Sequence, residues 1–404
     1  MRRTLTSFLA LSTAALSAPA LAEEPLGPQE IGDEVFIDPI LDIRVRVETA
    51  DQPTFPEAAS SVTVRTRAGA DLKWSNFSIL VEGEGTFHID DSFNDTNPVD
   101  GVEPFPVIAD PESLDLNRLQ FSYKKNGNGV TIGRQRLIMG NARFVGNVGW
   151  RQNEQTFDAV RGQAKFGPVS LDAAYAISQR TIFGSDSPNK AFDGDFIFLN
   201  GKVDLGPVRA TAYSYTIDYD TRVAFSSQTF GGEVSGSIPA GPVKIGLRAG
   251  FATQSDIGLN PVAYDADYIV AEGTLGIAGF ALRAQYEELG SDGGFAAFQT
   301  PLATAHKFNG FADLFLVTPA TGLRDSNIGL AKKFKIPGFT TFNALVRYHQ
   351  FDSDFGDIDY GTEIDAVLSF KVGPVGILAK YANYQADAFA VDTTRFTLQA
   401  GVSF

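Results

Sequence analysis

The feature that most restricts the fold of this chain is a rhythm. Stretches of about ten residues alternate between apolar and polar, the length a tilted membrane strand needs. Each stretch runs into a tight turn, a second follows, and then a longer polar loop intervenes. Val62, Val64, Ala68, Ala70 and Leu72 alternate with Thr63, Arg65, Arg67 and Asp71. Val243, Ile245, Leu247, Ala249 and Phe251 face one way, with Lys244 and Arg248 opposite. Phe280, Leu282, Ala284 and Tyr286 do the same against Arg283, Gln285 and Glu287. A period of two sends these sets to opposite faces of a sheet.

The turns set the count. They fall at Ser75-Asn76, Asn126-Gly127-Asn128-Gly129, Gly167-Pro168, Gly206-Pro207, Gly241-Pro242, Ala278-Gly279, Pro337-Gly338 and Gly373-Pro374. Gly, Pro and Asn supply the backbone angles that short hairpins demand. Acidic loops lie between them, among them Asp90 to Glu112, Gln179 to Asp195, Glu288 to Asp325 and Asp352 to Gly361. Eight hairpins plus a first and a last strand predict an all-β, transmembrane antiparallel β-barrel of about 18 strands, with short periplasmic turns and long extracellular loops. A secreted propeller is the competing fold, because many turn spacings lie near a blade period. A blade holds four short strands, however, whereas each interval here holds two long ones.

Both ends of the chain fit an exported barrel. Arg2 and Arg3, the apolar run Leu5 to Ala18 and the small-x-small site Ala20-Leu21-Ala22 predict a signal peptide over residues 1–22 and a barrel over 23–404. No stretch of the mature part reaches the roughly 18 apolar residues of a membrane helix. At the other end Phe396, Leu398, Ala400, Val402 and Phe404 alternate with polar residues, resembling the signal read by the barrel assembly machinery. Outer-membrane lipid and lipopolysaccharide are therefore expected partners. There is no cysteine, so thiolate-metal sites and disulfides are not available. A formal charge of −15 argues against nucleic acid as a partner.

The most distinctive segment runs from Ile132 to Arg161. It contains Gly133-Arg134-Gln135-Arg136, Asn141-Ala142-Arg143-Phe144-Val145-Gly146, Gly149-Trp150-Arg151-Gln152-Asn153-Glu154 and Thr156-Phe157-Asp158-Ala159-Val160-Arg161. These blocks resemble the alginate-export family of outer-membrane porins. The resemblance implies a monomeric 18-stranded channel for an anionic polyuronate. It is specific over about thirty residues and architectural elsewhere, and nothing in the mature chain marks an export complex or the direction of transport.

The charge pattern bears on the same point independently. With the apolar positions facing lipid, Arg44, Arg46, Arg65, Arg67, Arg118, Arg161, Arg209, Arg248, Arg283, Arg347 and Arg395 fall on the other face, with Lys73, Lys124, Lys244 and Lys380. A cation on the lipid face costs about 2–4 kcal/mol at mid-membrane, so the lumen is their natural place. Arg134, Arg136, Arg143 and Arg151 surround a Gly- and Asn-rich loop that is expected to fold inward, with Asp158 and Arg161 close by. Guanidinium groups hold carboxylates in two-pronged hydrogen bonds at any working pH, so an anionic saccharide is the expected solute. The alternative is a general diffusion porin whose arginines merely pair with Glu82, Glu84, Asp158 and Asp365, with Arg151 and Asp158 bracing the loop.

Other classes have less support. Only His88, His306 and His349 are available for histidine chemistry, and neither a Gly-x-Ser-x-Gly elbow nor a His-Glu-x-x-His pair occurs. No enzyme activity, cofactor or specific metal is expected. Asp352, Asp354, Asp357 and Asp359 offer oxygen ligands suited to Ca²⁺ but miss the complete EF-hand spacing, and read as a solvated surface facing lipopolysaccharide. A pore-less adhesive barrel is the third class, with Leu289 to Arg324 either plugging the lumen or covering its mouth.

Overall fold

A strand with one apolar face can cross hydrocarbon only if its backbone N–H and C=O groups are all paired. For a sheet this means closing on itself. The computed structural model describes residues 27–98, 101, 103–336 and 339–404, and it shows that closure. The predicted signal peptide and the Pro337-Gly338 turn lie outside the described residues.

The first half of the chain contributes β1 (Gln29–Gly32), β2 (Val35–Asp51), β3 (Ala59–Trp74), β4 (Phe77–Ser92), β5 (Ser113–Lys125), β6 (Asn128–Gln135), β7 (Thr156–Phe166), β8 (Val169–Arg180), β9 (Ala191–Leu205) and β10 (Val208–Tyr219). Then come β11 (Ser227–Ala240), β12 (Val243–Asp256), β13 (Asp265–Ile277), β14 (Phe280–Leu289), and a loop ribbon of β15 (Ser291–Asp292) and β16 (Ala296–Ala297). The last are β17 (Leu323–Phe334), β18 (Thr340–Asp352), β19 (Asp359–Val372), β20 (Val375–Ala386) and β21 (Thr393–Ser403). Every neighbouring pair is antiparallel. The ring closes where β2 meets β21, from Asp42 opposite Ser403 to Asp51 opposite Thr394. β1 is a short ribbon on the start of β2. Leaving it aside gives an 18-stranded barrel, as the turn count predicts.

The turns explain why the hairpins are tight. Asn126 (φ 53°) and Gly127 (φ 81°) both sit in the left-handed region, as do Ala278 (φ 50°) and Gly279 (φ 81°). That is the type I′ pattern, whose twist matches the flanking strands. Gly167, Gly206, Gly241 and Gly373 have positive φ and are each followed by proline, which is the II′ pattern. The opposite end carries the long connections.

Outward positions such as Val45, Leu119, Leu199, Leu247, Ile328 and Leu398 are large, apolar and exposed. Such a belt is stable only against lipid. No helix among the described residues is long and apolar enough to cross a membrane; the crossing is done by strands. Near the short-turn end two aromatic groups mark the outer surface. One is Trp74, Phe77, Phe121 and Tyr123; the other is Phe334, Phe339, Phe342 and Phe370. Rings at that level suit a membrane interface.

The lumen is filled rather than empty. Two long loops, 136–155 and 290–322, fold into it, and their apolar residues complete two internal cores. Leu137, Met139, Val145 and Leu302 join the walls of β7, β8, β9 and β10. Trp150, Phe298, Phe311 and Phe315 join those of β12, β13, β14 and β17 to β20.

Candidate functional site

The two loops form one unit before they touch the wall. Val145 and Leu302 make a parallel bridge. Gly146 N donates to Leu302 O at 2.9 Å, and Thr304 N donates to Ala142 O at 3.0 Å. Glycine is required at 146, since a Cβ there would lie 2.2 Å from Thr304 Oγ1. Trp150 of one loop stacks on His306 of the other, with ring centroids 4.1 Å apart and 4° between planes. Arg46 and Lys380, from the wall, lie over the Trp150 ring at 4.2 Å and 3.7 Å. Cations over an indole face are held by its quadrupole.

A polar chain continues from this stack. Lys380 Nζ is 2.9 Å from His306 Nε2, and His306 Nδ1 is 2.8 Å from Asp313 Oδ1. Burial, opposed by Asp313 and aided by Lys380, pushes the His306 imidazole down to about 3. The ring is neutral at ordinary pH: it accepts from Lys380 and donates to Asp313. Burial alone would raise the Asp313 carboxyl, but His306 and Arg151 outweigh it and hold it well below the usual carboxylate range.

Many of the predicted lumen arginines hold these loops. Arg44 donates to three consecutive loop carbonyls, Gly149 at 3.4 Å, Trp150 at 3.2 Å and Arg151 at 3.2 Å. Arg46, fully buried, reaches Trp150 O, Gln399 Oε1 at 2.8 Å and Asp110 Oδ2 at 3.2 Å. Arg65 pairs with Asp42 along the wall. Arg67 pairs with Glu84 and lies 3.6 Å from Glu154. Arg136 binds Glu154 at 2.5 Å and Glu82 at 3.3 Å. Arg143 reaches Glu287 at 2.9 Å and Asn309 Oδ1 at 2.9 Å. Arg151 binds Asp313 at 2.8 Å and Glu48 at 3.4 Å.

The distinctive block therefore reads as a fastening. Gln152 Nε2 donates to Thr63 Oγ1 at 2.7 Å, and Asn153 Oδ1 accepts from Thr86 at 2.7 Å and Ser113 at 2.8 Å. Burial raises the Glu154 carboxyl, but Arg67 and Arg136 outweigh it and hold the group well below the usual range. Burial likewise opposes the Arg151 charge, and Glu48, Asp110 and Asp313 reverse that effect. The loop is tied by charges that stay charged. A bulge helps: β5 carries one residue more than β4 near Glu82, so Asn117 and Arg118 both turn to that carboxylate, each at 2.8 Å.

One expectation needs correction. Arg134 and Asp158 are register partners whose strand alternation places them with Val130, Ile132 and Val160 on the outer face, not in the lumen. They form a two-pronged pair, at 2.8 and 2.9 Å, near the long-loop end. A charge on the outer face costs little there, since the penalty falls to about 0–1 kcal/mol near an interface. Arg161 does face inward and pairs with Asp172 at 2.8 Å.

Three further predicted arginines converge. Arg248, Arg283 and Arg347 border a small void of about 20 Å³, room for about one water, between the loops and the wall of β12 to β18, together with Lys307, Asn141, Gln285, Asn309, His349 and the carboxylates Glu287 and Asp325. Arg248 is matched by Glu233 at 2.7 Å, and Arg283 by Glu272 at 2.8 Å. Arg347 has no hydrogen-bonded carboxylate among the described residues, and its buried Nε has no acceptor. Among the described residues Lys307 Nζ donates to Asn141 O alone, at 2.9 Å. Burial, with Arg248 and Arg283 nearby, pushes the Lys307 ammonium down to about 8. Lys307 lay within the loop expected to plug or cap, but no periodicity marks a loop residue as lumenal, so alternation alone missed it.

Across the lumen, β7 to β10 present Phe157, Phe196, Phe198, Tyr215 and Tyr219 inward, all buried. Phe144 of the 136–155 loop packs among them and beyond, 5.4 Å from Tyr213 and 5.1 Å from Tyr268. That wall is aromatic where the other is charged.

The family model described as alginate export matches residues 38–291. A search of curated proteins finds no match. Among solved structures, Pseudomonas aeruginosa OccK9 (OpdG) superposes with a TM-score of 0.70 at 13% identity, covering 91% of this chain and 98% of that one. The outer membrane protein OpdK of the same organism gives 0.69 at 12%, covering 91% and 98%. Acinetobacter baumannii OccAB4 gives 0.71 at 10%, covering 94% and 100%. At such identities the likeness is one of fold, and it is the same closed barrel. With its matched length and its motif blocks in place, this chain belongs to the alginate export family and is an outer-membrane β-barrel of porin type.

Proposed function

We propose that the barrel is a passive channel for anionic saccharides such as uronate oligomers, and that Arg248, Arg283, Arg347 and Lys307 form the anion-holding step of the path. The observation that carries this reading is the imbalance at the void. Among the described residues two cations that border it, Arg347 and Lys307, have no hydrogen-bonded carboxylate, while Glu287 and Asp325 on the same lining are taken up by Arg143, Asn309, Asn327 and His349. A buried cation lacking a partner is costly, and a passing carboxylate supplies one. Weak sites of this kind let an anion enter and leave.

The second reading, a general diffusion porin, is favoured by a different observation. Arg65, Arg67, Arg136, Arg151 and Arg161 are already neutralised by Asp42, Glu84, Glu154, Asp313 and Asp172. Planar-bilayer recordings separate the two. Polyguluronate or polymannuronate should reduce the current of the anion channel, while neutral dextrin of equal size should not. Equal block by both sugars would establish the general pore.

A further inference from the structure

The contact between the 290–322 loop and β19 has a chemistry of its own. Gly310 stands in the left-handed region at φ 86°, and the two amides that follow point the same way. Phe311 N and Ala312 N both donate to Glu363 Oε1, at 2.6 and 2.9 Å. Phe311 N also lies 3.3 Å from Asp365 Oδ1. Successive backbone amides of this kind form a concave nest that binds anions. The nest belongs to the loop, and its occupant belongs to the barrel wall.

The occupant is poorly compensated. Glu363 and Asp365 are 1% and 0% exposed and stand on the same inward face. Among the described residues no donor makes a hydrogen bond to Glu363 Oε2 or Asp365 Oδ2. Their neighbours are His349, whose Nε2 is 3.4 Å from Asp365, and Arg347, opposite Asp365 in register. Two carboxyl groups buried side by side, with hydrogen bonds left unmade, raise the energy of a docked state, so this attachment is weaker than the arginine fastenings of the 136–155 loop. The site is also closed to anything larger: a Cβ on Gly310 would lie 2.3 Å from Glu363 Oε2.

The geometry points to a carboxylate-binding site at Gly310 to Ala312 that the wall itself fills with Glu363, a tethered ligand that holds the loop in the lumen. Release of that carboxylate loosens the loop tip, which then hangs on Arg395 at Ala312 O, 3.0 Å, and on Arg151 at Asp313, 2.8 Å. Asn309, next to the nest, donates to Glu287 at 2.8 Å and accepts from Arg143, so its movement also disturbs the edge of the cationic void. A solute carboxylate is the same chemical ligand as Glu363, so entry of a uronate and undocking of the loop become one event. Only this last step rests on the solute proposed above.

Chemical rescue tests the nest in the full-length reconstituted barrel. Glu363→Ala should raise the open-state occupancy of single channels roughly tenfold, the loss of one charge-assisted attachment. Formate should then restore the closed state by filling the nest, while chloride at equal ionic strength should not. Glu363→Gln keeps the acceptor oxygen and should gate like the parent, unresponsive to formate. Trp150, stacked in the same unit through His306 and Phe311, reports docking by its emission in a Trp74→Phe background. Should Glu363→Ala fail to assemble, Gly310→Ala replaces it, with opening expected and no formate response. Parental gating in Glu363→Ala, or formate acting no differently from chloride, overturns the proposal. Formate rescue without any Trp150 response of the parent barrel to polyuronate would sink the solute reading alone.

Discussion

The lumen has two walls that hold the same pair of loops by different physics. On β7 to β10, Phe157, Phe196, Phe198 and Tyr215 meet Leu137, Met139, Val145 and Leu302 of the loops in a dry core. On β2 to β5, guanidinium groups and carboxylates do the work, as in Arg44 on the loop carbonyls and Arg67 between Glu84 and Glu154. Apolar contact is non-directional and insensitive to salt or pH, so the aromatic side acts as a fixed hinge. The charged side is directional, and each of its members depends on a specific partner. A loop anchored in this way can be altered at its charged contacts while the aromatic ones hold, and the cations Arg248, Arg283 and Arg347 stand apart from both sets, on β12, β14 and β18.

The largest expected effect breaks the aromatic side. Phe198→Ala empties a fully buried position and should cost about 3–5 kcal/mol of barrel stability. The readout is the urea midpoint of the detergent-solubilised barrel, with ion selectivity of the surviving pores unchanged. An unaltered midpoint would mean that this wall does not anchor the loops. Next, Arg67→Leu strands Glu84 without its cation, leaves Glu154 with Arg136 alone, and should cost roughly 3 kcal/mol. Adding Glu84→Gln to that variant should recover part of the loss, whereas a mere cavity would not respond. Smaller still, Arg347→Gln should weaken polyuronate block about tenfold, the worth of one charge-assisted hydrogen bond. Unchanged block would remove Arg347 from the solute path.

Legibility in the sequence differs between the walls for a physical reason. Lipid demands an apolar residue at every second position all round the barrel, so strand number, turns and outer face could be read directly. On the charged side the inward set is polar, and Arg65, Arg67, Arg248 and Arg283 stood out by contrast. On β9 the run Phe196-Ile197-Phe198-Leu199 is apolar on both faces, so the pattern gives no sign of which rings point inward. The pairing partners were hidden as well, because they depend on register and on bulges. Arg134 shows the hazard: its residue type suggested the lumen, while its place in the alternation after Val130 and Ile132 sets it outward. The function of the distinctive block was hidden for a related reason. Its side chains are aimed at Thr63, Thr86 and Ser113, which are neighbours only once the barrel has closed.

The finest test separates the loop cation from the wall arginines, because among the four cations that border the void Lys307 is the one that titrates in an accessible range. Its ammonium, held down to about 8 from an ordinary 10.5, is charged below that point and neutral above it. Arginine stays charged throughout. Anion preference, read as reversal potential in a salt gradient, should therefore decline with a midpoint near 8 as pH rises, and should level off rather than vanish. Stability should move the other way. The unfolded chain holds this proton up to 10.5 while the folded barrel has released it, so the unfolded state binds more protons between the two values and folding gains as pH rises through that window. Lys307→Arg should remove both trends and keep anion preference high at pH 9. If the selectivity profile of Lys307→Arg still bends near 8, the titrating group lies elsewhere and the loop does not contribute its charge to the path.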